Sequence, residues 1–591
     1  MRSCLMLSLF SLASAISDFP ALDHIRPSSS LFDQQQAATD LIVRRLGADR
    51  AKQFTVKVVP NADPQHRDTF TLISDGNLVS ITGTSGVAAS MGFYFYLKTY
   101  CGCQFTWAGE QLDLPHPLPV IVKPGVSITT NDRFRYYQNV CTVSYSSVWW
   151  TWERWERHID WMAMNGINLP LAFTGQEAMF QKMQEEFGTD HVYNADSFNE
   201  MSPRSRLMQG WLFQSGFWQQ EQIQAYLTAV PQGPFLGRHF EGSSMIGTGL
   251  TPEGIFQNEV VYEFMNENAY APAPRNLTQW FSEFARNRYG QYNSDADQTW
   301  QLLRSSVYKG SAHMSVGLSG GLLFSGHGAV PTLEPRIPGA FPHQSVLNNT
   351  DKLRDHSKFV VPTSRPNIKE HLPDVWYDPK KLYMAWKHLV AASESLRNNT
   401  LFRYDLVDVG RNSLQMISVK FYIEMVAAYK AKSVDRLKSA GEAMLKILND
   451  LDQLLGTDHH FLLGPWIEDA RAWGTNEAEK NLMEFNARNQ VTLWGPTGQG
   501  TKYNQTAFQE IVLETVEQPF SYDRTPVPVQ PRGDAVVLSR TLYQQYQPVM
   551  QSSFYDSLEG WAGKGSEGFT MAINWLQERW GDTEVRVSLF N

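Results

Sequence analysis

Two short segments carry the residue types from which hydrolytic chemistry is built: Ala195-Asp196-Ser197-Phe198-Asn199-Glu200-Met201 and Thr248-Gly249-Leu250-Thr251-Pro252-Glu253-Gly254. Each follows a strand-like run, His191-Val192-Tyr193 in one case and Ser244-Met245-Ile246-Gly247 in the other, and each reaches a glutamate. A parallel barrel presents its working acids on the loops that follow strands. Two such acids are the minimum equipment for cleaving a glycosidic bond, one to protonate the leaving oxygen and one to attack or to activate water. Glu200 and Glu253 are therefore the candidate catalytic pair. Glu259, six residues past Glu253, competes for the second role. Pro252 and Gly254 constrain the backbone around Glu253, whereas Glu259 is expected on the helix that follows.

The chain that must position these acids is 591 residues long, enough for several cores. With 42% hydrophobic and 19% charged residues it reads as packed and globular. The net charge of −9 argues against a nucleic-acid partner, which calls for a basic face. Aromatics make up 13% of the chain, a content that suits sugar stacking and core filling equally. The start, Met1-Arg2-Ser3-Cys4 followed by apolar Leu5 to Leu12 and Ala13-Ser14-Ala15, has the pattern of a secretory signal over residues 1–16. No later run reads as a membrane span. Four glycosylation sequons, at Asn276, Asn348, Asn398 and Asn504, fit that route. Once Cys4 leaves with the signal, Cys101, Cys103 and Cys141 remain, an odd number. Cys101 and Cys103 are too close for an easy mutual bridge. No Cys/His cluster has zinc spacing, and His158, His191 and His239 stand apart, so no metal is expected.

Alternation at Phe54, Val56 and Val58, then at Phe70 and Leu72, then at Leu78 to Ile81, predicts strands. A helix is expected over 86–100, with Ala89, Phe93, Tyr96 and Leu97 on one face. These elements form a small α/β domain over 17–128. Next, Arg135 to Thr142 reads as a strand. Trp149 to Met164 reads as a helix with Trp152, Trp155, Ile159 and Met162 on its apolar stripe, and Gly166 to Phe173 as a buried strand. Strand, helix, strand at this spacing predicts a parallel sheet. From Leu277 onward the periodicity is helical, as in Leu414, Ile417, Phe421, Met425 and Ala428, and again in Leu437, Ala440, Met444 and Leu448. A C-terminal α-helical domain is assigned to 276–591, with a disordered insert near 310–370.

Several longer motifs resemble glycoside hydrolase family 89, the α-N-acetylglucosaminidases. They are Arg135-Tyr-Tyr-Gln-Asn-Val-Cys-Thr, Ile159-Asp-Trp-Met-Ala-Met-Asn-Gly-Ile-Asn, Gly175-Gln-Glu-Ala, Phe198-Asn-Glu-Met, Gly247-Thr-Gly-Leu-Thr-Pro-Glu-Gly and Leu493-Trp-Gly-Pro. The likeness runs over most of the chain, including Cys101-Gly-Cys103 and Gln530-Pro-Arg-Gly-Asp. It implies a small α/β domain, a (β/α)₈ barrel and a helical domain. It also implies removal of terminal α-linked N-acetylglucosamine from heparan sulfate without a cofactor, in the lysosome. By resemblance, Glu200 is the acid/base and Glu253 the nucleophile. Asn139, Cys141, Tyr145, Tyr262 and Trp494 fall where the family lines its sugar pocket. Read on their own, Asn139 is either a hydroxyl ligand or a satisfied strand-end amide. Cys141 is either a contact for the acetamido methyl or a plain core thiol, and Trp494 either stacks on sugar or packs between domains.

The likeness skips after Phe180, around Pro203 to Arg206, from Leu236 to Glu241 and after Gln499, so Tyr503 is not taken for the family's pocket tyrosine. The tail after Gln547 is also unlike the family. An eight-unit barrel needs roughly 250 residues, whereas Arg135 to Asn276 offers about 140, room for four or five units. The fold class expected is thus α/β with an incomplete barrel over 129–275, as in a splice variant or an incomplete gene model. An inactive or unstable form of the same enzyme, and a carbohydrate-binding protein without hydrolysis, are the alternative readings. A homo-oligomer stays open.

Overall fold

A computed structural model describes residues 22–138, 147–171, 234–235, 238–239, 245–250, 259–309, 378–490 and 529–552. Elements are numbered over these residues.

The first helix, α1 (Leu31–Ala51), is started by Ser30, whose side chain accepts from the Asp33 amide. Strands β1 (Phe54–Val58), β2 (Thr69–Ser74) and β3 (Val79–Gly83) follow, then α2 (Gly86–Cys101), the short pair β4 (Gln104–Phe105) and β5 (Glu110–Gln111), and β6 (Ile121–Thr129). The sheet order is β1-β3-β2-β6, with β1 parallel to β3 and β2 antiparallel to both neighbours. The expected alternation is observed: Phe54, Val58, Phe70, Leu72, Val79 and Ile81 are buried. They form one core with the apolar face of α2, including Ala89, Phe93, Tyr96 and Leu97. β6, which lies beyond the Pro-rich run at 114–119, completes the sheet. Cys101 and Cys103 are both free thiols, and burial pushes the Cys101 thiol up to about 12.

A second sheet begins at β7 (Phe134–Tyr137), continues through α3 (Trp152–Met164) to β8 (Leu169–Pro170), and receives β9 (Gly247–Leu250). All three strands are parallel, in the order β8-β7-β9, as the strand-helix-strand pattern predicted. Three local expectations need correction. The stripe of α3 is rotated: Trp152 is 65% and Ile159 43% exposed, while Trp161, Met162 and Met164 are buried. Apolar residues occupy two faces of this helix, and its neighbours Trp107 and Tyr137 select the one carrying Trp161. β8 spans two residues, both exposed, instead of a long buried strand. β9 begins at Gly247 rather than ending there, so Glu253 stands three residues past the strand end.

The remaining elements are helical: α4 (Glu259–Asn268), α5 (Leu277–Tyr289), α6 (Ser294–Arg304), α7 (Pro379–Leu396), α8 (Thr400–Lys430), α9 (Val434–Leu455), α10 (Leu463–Ala472), α11 (Glu477–Gln490) and α12 (Ala535–Met550). Side-chain caps from Asn276, Asn293, Asp378, Asn399 and Asp534 fix where five of them start. Their apolar stripes, among them Leu414 and Ile417 of α8, close around Trp386 and Leu389. Each such side chain contributes about 2 kcal/mol on leaving water. The expected insert at 310–370 lies outside the described residues. No helix among the described residues is long and apolar enough to cross a membrane.

Candidate active site

Three chain ends leave the second sheet on one edge. Tyr137 pairs with Leu250 of β9 and Pro170 of β8. The Gln138 amide donates to the Leu250 carbonyl at 3.0 Å, and the Leu171 amide to the Tyr137 carbonyl at 3.0 Å. The chain therefore departs from β7 toward Asn139, Cys141 and Tyr145 right beside the point where it departs from β9 toward Glu253. This is the carboxyl edge of a parallel sheet, where such folds place reacting groups. Asn139, Cys141, Tyr145, Glu200, Glu253 and Trp494 themselves lie outside the described residues. The strands that lead to Asn139 and Glu253 lie side by side.

Local sequence explains the close approach of β9. A Cβ on Gly247 would meet the Phe134 carbonyl oxygen at 2.5 Å, and one on Gly249 would meet the Tyr136 Cβ at 3.1 Å. Glycine at both positions lets the strand that feeds Glu253 press against β7. Gln138, the first residue past β7, is buried with φ of 101°, a conformation L-residues rarely adopt. Strain of this kind gathers at functional sites. Nothing in the sequence pattern singled Gln138 out.

The opposite edge of the sheet is locked by charge. Asp132, fully buried, accepts from Arg238 Nε at 2.7 Å and from the Thr248 hydroxyl at 3.0 Å. Arg135 donates to the Gly166 carbonyl at 2.7 Å and pairs with Asp68 of the N-terminal domain. Paired and bonded in this way, the buried charges fix strand register. Behind the strand end, Tyr137 sits in an aromatic cluster with Trp107, His158 and Trp161, at centroid distances of 6.4, 5.4 and 5.2 Å. Burial, with Arg154 and Arg157 nearby, pushes His158 down to about 3. It is a neutral packing residue and not an acid/base group. Tyr262 joins this cluster, buried at 4% exposure with its ring 5.2 Å from Trp107.

Glu259 is committed elsewhere. It opens α4, and its Oε1 accepts from the Ala108 amide at 2.6 Å while Oε2 accepts from Arg288 at 3.0 Å. A carboxylate held by a backbone N–H and a buried guanidinium is not available as a nucleophile. These contacts count against Glu259 in the second catalytic role.

The helical elements reach the same edge. Trp149 and Val148, in the loop entering α3, pack with Leu463, Ile467 and Ala470 of α10 and Ala487 of α11. The Trp466 indole donates to the Ala487 carbonyl at 3.1 Å. α11 ends at Gln490, so the chain sets out toward Trp494 from a helix docked beside the β7 exit loop. Of the sequons, Asn276 and Asn398 are exposed, and the Asn276 side chain also caps α5. Asn348 and Asn504 lie outside the described residues.

Comparison with known proteins bears on this arrangement. The Alpha-N-acetylglucosaminidase (NAGLU) N-terminal, tim-barrel and C-terminal domain families match residues 36–120, 135–186 and 340–501. The human Alpha-N-acetylglucosaminidase is 29% identical over 749 residues, a match that takes in 87% of this chain and 95% of that protein. Among solved structures, a family 89 glycoside hydrolase from Clostridium perfringens in complex with 2-acetamido-1,2-dideoxynojirmycin is similar with a TM-score of 0.63 at 17% identity, covering 87% of this chain and 80% of that one. A variant of the Clostridium perfringens enzyme with two glutamates changed to glutamine, bound to its substrate GlcNAc-alpha-1,4-galactose, gives a TM-score of 0.62 at 17% identity over 95% and 78% of the two chains.

Proposed function

The chain belongs to the α-N-acetylglucosaminidase family, and from that premise we propose that it is a retaining hydrolase removing terminal α-linked N-acetylglucosamine from heparan sulfate oligosaccharides. In an α-glucosaminide the 2-acetamido group lies on the same face as the leaving oxygen and has no path to the back of the anomeric carbon. The protein must supply the nucleophile. Glu253 attacks the anomeric carbon and forms a glycosyl ester while Glu200 protonates the departing oxygen. Glu200 then takes a proton from water as its oxygen attacks the anomeric carbon and displaces the Glu253 carboxylate, freeing the sugar with its configuration retained. Neither step needs a cofactor. Asn139, Cys141, Tyr145, Tyr262 and Trp494 line the sugar.

One observation carries this reading: β9 runs parallel against β7, so the segment bearing Glu253 starts beside the one bearing Asn139 and Cys141. The substrate complex of a relative with two glutamates changed to glutamine supports the need for a glutamate pair. The residues of the N-terminus support entry into the secretory route, and the acidic lysosome is the proposed destination. The test is hydrolysis of an aryl α-N-acetylglucosaminide by the full chain. Turnover is expected to fall at least ~10³-fold in Glu253→Gln, comparable to losing a nucleophile elsewhere, and unchanged turnover in that variant rules the assignment out.

The comparison also favours a second reading. The human match extends over 749 residues although this chain has 591, so segments of the relative face no residue here. A shortened barrel without activity is therefore the alternative. A well-folded sample with no turnover decides for it, and sugar binding that outlives loss of both glutamates decides for a carbohydrate-binding protein.

A further inference from the structure

Outside the strand-edge site, the described residues hold a chain of polar contacts that ends at His460. This residue lies in the turn His459–Phe461, capped by Asp458, between α9 and α10. Its Nδ1 is 2.6 Å from Asp458 Oδ1, and its Nε2 is 2.6 Å from the carbonyl oxygen of Ala108, far away in the N-terminal domain. The ring is thus held from both sides, by a carboxylate of its own turn and by a peptide oxygen of another domain. Burial opposes ionisation of Asp458, yet the bonds from His460 hold its carboxyl below the usual carboxylate range. Asp458, His459 and His460 lie within 4.8 Å of one another, but both His460 nitrogens are spent on protein oxygens, which leaves no lone pair for an ion.

The Ala108 peptide is gripped from its other side as well. Its N–H goes to Glu259, the first residue of α4, whose other oxygen is held by Arg288. Arg288 in turn pairs with Asp405 of α8 at 2.6 and 2.8 Å. One peptide group therefore links the helical domain, the β4–β5 hairpin and the helix that begins six residues past Glu253.

We propose that His460 is a positioning residue: its ring staples the helical domain to Ala108 and so fixes the start of α4, six residues past Glu253. The part of this that concerns Glu253 rests on the function proposed above. The charged and titratable groups facing His460 are Asp458 and His459 on its own turn, Tyr404 on α8 with its ring at 4.9 Å, and Glu259 and Arg288 across the Ala108 peptide. Arg403 and Arg154 act electrostatically on the adjoining His459.

The test compares the full chain with His460→Gln and His460→Phe by three measurements at pH 5. Backbone hydrogen exchange is expected to speed up at least tenfold for peptides spanning 259–262 in His460→Phe, which keeps neither bond, and less in His460→Gln, whose amide can still donate to Ala108. The melting temperature is expected to fall in the same order. On an aryl α-N-acetylglucosaminide, kcat is expected to fall about tenfold in His460→Phe with KM within twofold, and to recover in part in His460→Gln. Exchange at 259–262 unchanged in His460→Phe overturns the staple. Altered exchange and melting with kcat intact overturns the positioning role. A wild type without turnover counts against the proposed function, while exchange and melting still decide the staple.

Discussion

Replacing Glu263 with glutamine is expected to flatten the pH dependence of stability. Glu263 lies on α4, buried at 6% exposure, and receives Lys98 Nζ at 3.3 Å and Gln104 Nε2 at 2.9 Å. Lys98 also bonds Glu267 at 2.5 Å, and Glu267 is bonded in addition by Arg275 and by the Trp280 indole. Two carboxylates thus share one ammonium. Burial raises Glu263 from 4.5 to about 7, against the pull of Lys98 and with a push from the Glu267 charge. Glu267, better supplied with donors, goes the other way and is lowered despite its burial. The sign follows from proton counting. Between pH 4.5 and 7 the folded chain keeps a proton on Glu263 that the unfolded chain has released, so stability falls as pH rises through that window. The Glu267 effect falls below pH 4.5, where protonation removes its stabilising charge. A full displacement of this size corresponds to on the order of 3 kcal/mol, and sharing between the two acids reduces it to about 2. Urea unfolding followed by tryptophan fluorescence at pH 4.5 and 7 measures it. The wild type is expected to lose about 2 kcal/mol more than Glu263→Gln across that interval. The variant starts lower at pH 4.5, because its amide has one acceptor where the carboxyl group offered more. Parallel stability curves for the two proteins would refute the reasoning.

Three other outcomes are expected. Gly166→Ala is expected to cost about 2–4 kcal/mol, because φ is +75° and the new methyl would clash with the Tyr270 hydroxyl and ring. A melting temperature within a degree of wild type contradicts the local geometry. Tyr137→Phe is expected to stay within ~0.5 kcal/mol of wild type, since the buried hydroxyl has no hydrogen-bond partner among the described residues. A loss above ~2 kcal/mol in a melting experiment would show a partner for it. Glu259→Gln is expected to destabilise by about 3 kcal/mol through the weakened bond to Arg288 while losing no more than about tenfold in turnover, against the ~10³-fold loss expected on removing a nucleophile, which an unfolding curve and a rate assay at 20 °C together check.

The sequence made the scaffold legible where period and neighbours agreed. In the N-terminal domain the alternation of Phe54, Val58, Phe70 and Leu72 matches the buried face of the sheet, because one helix, α2, covers it. The parallel pairing of β7 with β8 followed from the strand-helix-strand spacing. Around α3 two apolar faces competed, and contacts with Trp107 and Tyr137, distant in sequence, settled which one was buried. β9 moved because its glycines, unfavourable for a strand on their own, are required by the approach to Phe134 and Tyr136. The aromatic cluster around His158 and the clamp on Ala108 join residues far apart along the chain, and no local pattern announces either. Of the residues expected to line the sugar, Tyr262 is described and lies against Trp107. Asn139 and Glu253 lie outside the described residues, two and three residues past the ends of β7 and β9.

The central claim is that Glu253 attacks the anomeric carbon, so the reaction proceeds through two displacements. Proton NMR of the anomeric signal during the first minutes of aryl α-N-acetylglucosaminide hydrolysis tests this most directly. Retention predicts that α-N-acetylglucosamine forms first and the β-anomer grows in only as the free sugar equilibrates. Initial release of the β-anomer would contradict the account, since a single displacement by water leaves no role for Glu253 as nucleophile.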